Sequence, residues 1–208
     1  MPLRFPIFPT KARAAARRVR ALARDESGIA AVEAAFVFPV MVVVLAIIGV
    51  YGKAFEIKRK ATETAQQVTD LVARWPLSNG PMQQSDIDGY LDYAALTMLP
   101  HTANGNTGSL SVVVTEFQAN AAATTGTVLW SEAQYQGVAR AAGTTMPLPT
   151  GLVAPNGYVL LGEVSWSYTP LKIGPFPLTT MLLQDSIFLS PRQHTCIATY
   201  SYQPGTCT

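Results

Sequence analysis

Residues 29–50 read IAAVEAAFVFPVMVVVLAIIGV, a run of 22 positions broken by one charge, Glu33. As a helix rising about 1.5 Å per residue, such a run covers roughly 33 Å, enough for a hydrocarbon core of about 30 Å. A helix buried in a soluble domain normally keeps a polar face, and this stretch has none over about six turns. The run predicts a helix whose solvent is lipid, and the remaining sequence is read as what lies on either side of it.

Charge supports that division. Only 13% of residues are charged and 49% are hydrophobic, against a usual charged share of about 25%. The net charge of +2 hides an asymmetry. Residues 1–24 hold seven basic side chains and no acid, whereas residues 76–208 hold three basic and seven acidic ones. Lys53, Lys58, Arg59 and Lys60 follow the run as a lighter basic flank. The heavier flank is normally retained in the cytoplasm, which predicts an N-terminus inside and export of everything beyond residue 51. A secretory signal would have an apolar region of about 7–15 residues followed by an A-x-A site. The run is longer and no such site follows, so an anchor is expected. Arg13, Arg17, Arg20 and Arg24 recur at helical spacing. Orientation and anionic head groups explain that stripe without invoking phosphate backbones, and no nucleic-acid partner is expected.

Glu33 is expensive where it stands. A carboxylate in mid-membrane costs on the order of 2.5–3.5 kcal/mol, less near the interface, so it is a functional candidate unless it reaches the head groups. The residues around it, Asp25-Glu26-Ser27-Gly28-Ile29-Ala30-Ala31-Val32-Glu33, resemble the processing site of type IV pilin-like proteins. The longer run RDESGIAAVEAAFVFPVMVVVLAIIG resembles the TadE-type minor pilins (TadE/TadG-like proteins) of the tight-adherence (Tad/Flp) pilus, with the resemblance carried by residues 24–60. The aromatic that commonly follows the glutamate directly in that family is displaced here, with Ala34 next and Phe36 two further on. The resemblance implies cleavage between Gly28 and Ile29 by a membrane-embedded prepilin peptidase, making Glu33 the fifth residue of the mature chain. It also implies the other partners: the inner membrane, further pilin-like subunits and a pilus assembly platform.

The chemistry of such a junction follows from its spacing. Cleavage would free an amine on Ile29, with a reference pKa of about 7.7–8.0 and hence largely cationic at neutral pH. Positions 29 and 33 share one helical face. A neighbouring subunit's ammonium would neutralise Glu33 inside an apolar bundle, where an unpaired charge is very costly. Ala30 with Ala34, and Ala31 with Ala35, form small-xxx-small pairs that permit close helix approach in lipid. Pro39 removes one backbone donor and predicts a mild kink.

Residues 51–74 keep helical character, with Phe55, the stem of Lys58, Ala61, Ala65, Val68 and Val72 as the expected packing stripe. Trp75-Pro76 stops the helix, and a turn follows over 78–81. Ser85-x-x-Asp88 reads as a helix start, with Tyr90, Leu91, Ala94, Ala95 and Met98 apolar behind it. Strands are expected over 109–118, 127–136, 158–169 and 186–189. The expected fold is α+β, pilin-like: a long N-terminal helix, transmembrane in its first half, packed on a small antiparallel sheet. The parts are a basic cytoplasmic leader over 1–28, a transmembrane helix over 29–51, a helix extension over 52–75 and an exported domain over 76–208. Export would permit a disulfide between Cys196 and Cys207, stabilising by roughly 3 kcal/mol in the loop-entropy picture.

No catalyst stands out. His101 and His194 lack metal-ligand spacing, and neither a nucleophile elbow nor a Walker A loop is present. Asp86 and Asp88 straddle the expected helix start, where acids are favoured, with Asp92 nearby. Cys196 lies two residues from His194 without further signs of a nucleophile. The sequence predicts no enzyme, no metal and no cofactor. It predicts a minor-pilin or assembly subunit; the competing readings are a tethered periplasmic binding module or enzyme, and an envelope anchor that is never cleaved.

Overall fold

A computed structural model describes residues 27–102, 105–170, 179–203 and 207. The arginine-rich segment with Arg13, Arg17, Arg20 and Arg24, and Pro204 and Gly205 between the two cysteines, lie outside the described residues. Helix α1 runs over Ser27–Ala73, 47 residues, and passes through Pro39 without interruption. The chain divides into two compact units between Gly49 and Val50.

In the first unit the helix stands bare. Its best 18-residue window has a mean hydropathy of 2.6 and none of that window is buried. Phe36, Phe38 and Leu45 are among its exposed apolar side chains. By length and composition this helix can cross a bilayer.

In the second unit α1 packs. Ala54, Ile57, Ala61, Ala65, Val68 and Val72 are buried at steps of three and four, the spacing that keeps side chains on one helical face. Phe55 is 75% exposed and Lys58 is also exposed, so the expected stripe is corrected at its start. One residue on a helix is a turn of about 100°. Burying Ala54 and Ile57 therefore carries Phe55 round to the outer side. Helix α2, Gln84–Thr97, buries Ile87, Leu91 and Ala94. Its start is also corrected. The cap is Gln83, whose backbone N–H donates to Asp86 Oδ2 at 3.0 Å, two residues ahead of the expected Ser85–Asp88 pair. The reciprocal bond of a capping box needs an acid three residues after the cap, and Gln83 with Asp86 has that spacing.

Five strands follow: β1 (Leu110–Ala119), β2 (Thr125–Tyr135), β3 (Thr145–Pro147), β4 (Tyr158–Tyr168) and β5 (Met181–Leu189). They form one antiparallel sheet in the order β3-β2-β1-β4-β5, with β1 central. The α+β class is observed, with the long helix on an antiparallel sheet. Alternation along β1 serves two cores. Leu110, Val112 and Val114 join the helix residues Ile57, Ala61, Val68 and Leu91, and Phe117 joins Val128, Leu148 and Leu161. A bulge between Glu116 and Phe117 shifts the register with β2. Helix and sheet approach closely at Gly162 of β4. A Cβ there would collide with Thr69 Oγ1 and stand 2.9 Å from Thr69 Cβ and 3.3 Å from the Ala65 carbonyl oxygen. Strand β5 begins five residues earlier than the predicted 186–189, and β3 was not anticipated.

Candidate functional site

Two places hold the residues of interest, one in each unit. In the first, Gly28, Ile29, Ala30, Glu33 and Ala34 occupy the opening turns of α1, all exposed, with Ile29 at 61%. Ile29 and Glu33 are one turn apart on a common face, and Ala30 and Ala34 form the adjacent row. The arrangement presents one carboxylate and a strip of small side chains on an otherwise apolar rod. In lipid such a carboxylate needs a cation or the head-group region.

Further along α1 the basic residues are largely answered by neighbours. Lys53 pairs with Glu56 at 3.4 Å and Arg59 with Glu63 at 2.9 Å, while Lys60 donates to the Leu99 carbonyl oxygen. Lys58 makes no ion pair among the described residues. Exposed pairs of this kind contribute little to stability.

The second place is the C-terminal segment, and sequence reasoning missed most of it. Glu116, on the central strand, is fully buried. Its Oε2 accepts from Trp130 Nε1 at 2.7 Å and its Oε1 accepts from the Ile197 N–H at 2.9 Å. The Trp130 indole also donates to the Ile197 carbonyl oxygen at 3.0 Å. Burial pushes the Glu116 carboxyl up to about 8, although its two N–H bonds act in the opposite direction. Cys196 and Cys207 are joined by a disulfide with a Cα–Cα distance of 4.9 Å, within the ordinary range. Met82 donates to Ala198 and accepts from Tyr200, both at 2.9 Å, so the segment is tied to the stretch before α2 as well. The signal for Glu116 was its place in the alternation Val112-Val114-Glu116, which puts an acid on the apolar face of a strand.

The remaining polar candidates have structural partners. Asp86 caps α2, Asp88 Oδ1 accepts from Gln84 at 2.9 Å and Asp92 Oδ1 accepts from the Tyr135 hydroxyl at 3.0 Å. Burial beside Trp166 lowers the His101 pKa, with Glu56 Oε1 3.7 Å away opposing the shift. Arg140 and Glu163 form a two-pronged ion pair, its Nη2–Oε1 arm at 3.0 Å. No group of three or more His, Cys, Asp or Glu side chains placed to hold a metal occurs among the described residues.

No curated protein and no solved structure matches the chain. One family model does, described as TadE-like protein, over residues 28–70. That match starts at Gly28, takes in Glu33 and the bare apolar turns, and ends within the packed part of α1; over this stretch the chain is similar to TadE-like proteins.

Proposed function

We propose that this chain is a minor-pilin-like subunit of a Tad-type pilus system, working through helix packing rather than as an enzyme. The observation that carries the reading is the TadE-like match over a bare apolar helix opening with Gly28 and Glu33. On this reading residues 1–28 are a cytoplasmic leader, 29–51 cross the inner membrane, 52–75 extend the helix, and 76–208 are exported to the periplasm or beyond. A prepilin peptidase cuts after Gly28, and the assembly platform brings subunits together. The new amine on Ile29 of one subunit then neutralises Glu33 of the next.

N-terminal sequencing of the detergent-extracted protein tests this directly. A mature chain beginning at Ile29 is expected; an intact leader would leave an uncleaved envelope anchor instead. Glu33→Ala is expected to be processed but excluded from pili, and its normal incorporation would remove the pairing from the scheme.

A further inference from the structure

Lys53, Lys58, Arg59 and Lys60 follow Val50, the last residue of the apolar run, within ten positions, and Glu56 is the one acid among them. Cations beside a membrane span favour the cytoplasmic side, so on the exported side these four work against the topology read for this chain. The second unit occupies two of them. Lys53 meets Glu56, and Lys60 donates to the Leu99 carbonyl oxygen. Lys58 has no carboxylate partner among the described residues, and Arg59, 76% exposed, meets only the exposed Glu63.

Lys58 and Arg59 share a helical face with two exposed aromatics. Phe55 lies three and four positions before them, and Tyr51 a further turn back. Phe55, Lys58, Arg59, Thr62 and Glu63 line a shallow cleft of about 340 Å³ on this face. Leu99, held beside Lys60, adds another exposed apolar side chain at the same end of the second unit. Phe55 is five residues past Val50, about 7.5 Å along the helix, and Arg59 is nine past it, about 13.5 Å. The head-group layer beyond the hydrocarbon core is about 5–7 Å deep on each side. Phe55 is thus within its reach, and the long stems of Lys58 and Arg59 can lead their charges back to it.

We propose that the Tyr51–Arg59 face of α1 is a contact surface for anionic phospholipid in the leaflet beneath the exported domain, with Phe55 among the head groups and Lys58 and Arg59 against their phosphates. Aromatic rings between basic side chains next to an apolar helix are the usual make-up of a head-group contact. The rest of the second unit has the opposite charge, with three basic and seven acidic residues over 76–208. An anionic surface therefore attracts one end of this unit and repels the remainder, which sets the end that faces the bilayer. The contact rests on the reading of 29–51 as a membrane span and does not depend on cleavage after Gly28.

The test reconstitutes the full chain, carrying a fluorescent bimane on Gly52→Cys, into vesicles of phosphatidylcholine and phosphatidylglycerol. Nothing lies within 4 Å of a Cβ added at Gly52, and Cys196 and Cys207 are joined to each other, so the dye meets one free thiol. A nitroxide quencher is placed high on the acyl chain of either lipid, at equal mole fraction. The phosphatidylglycerol quencher should be roughly threefold to fivefold the more effective at about 0.01 M salt, and should lose that advantage near 1 M. Lys58→Glu with Arg59→Glu should abolish the advantage, whereas Lys58→Arg should keep it. Equal quenching by the two lipids at low salt, or an advantage untouched by the double charge reversal, would overturn the contact. So would a benzophenone side chain at Phe55 that yields only protein adducts in native membranes, since the face would then belong to a protein partner. Flotation of the same vesicles separates the two claims. A chain that does not float with them sinks the membrane-span reading, while a floating chain without lipid preference sinks the contact alone.

Discussion

Helix α1 has two stretches of different composition and opposite circumstance. Over 28–49 its apolar residues cover all sides and remain exposed, whereas over 54–73 the buried residues form one stripe and polar groups fill the rest. Ile47 is 46% exposed and Ile57 is 2% exposed, though both are isoleucines in one unbroken helix. What separates them is periodicity. A helix facing one core needs an apolar stripe, while a helix facing lipid needs apolar residues everywhere.

The sharpest way to break that contrast is at the close helix–sheet approach around Gly162. Gly162→Leu places a side chain where Thr69 already stands, and no folded domain should be recovered by near-ultraviolet circular dichroism in detergent. Ile57→Ala should cost the domain about 2–5 kcal/mol in denaturant unfolding, while Ile47→Ala should leave it within about 0.5 kcal/mol. Equal losses from the two would dissolve the distinction between the stretches. Replacing both cysteines by serine should cost roughly 2–4 kcal/mol by the same measurement.

Glu116 provides a pH test confined to the second unit. Its folded pKa of about 8 lies above its ordinary value of 4.5, so the folded state holds the proton more tightly than the unfolded state does. Its contribution is complete below pH 4.5, declines as pH rises and is lost by about pH 8. Glu116→Gln should flatten that decline in unfolding experiments run across the interval. The smallest effect is expected at the corrected stripe position: Phe55→Ala should alter domain stability by less than about 0.5 kcal/mol, since the ring is exposed.

Patterns that repeat over many residues were legible in the sequence. The apolar run and strands β1 and β4 carry their signal over many residues. Features resting on one choice of frame were not. Phe55 and Ala54 differ by one position, and both can begin a plausible stripe. Strand β5 lies at the sheet edge, where no residue is fully buried, and its half-buried positions do not match an alternation of apolar and polar residues in the sequence MLLQDSIFL. Strand β3 has three residues, too few to show a period. The acid at Glu116 showed in the alternation, but its partners did not, because Ile197 lies 81 residues away.

The bonds from residues 196–202 to Glu116, Trp130 and Met82 have a consequence for timing. A chain cut short before residue 196 lacks these residues, and its central strand holds a buried acid with one donor missing. Residues 196–202 must therefore be in place before the core around Glu116 can close. Shortened chains thus carry their own mark of incompleteness, open to proteases.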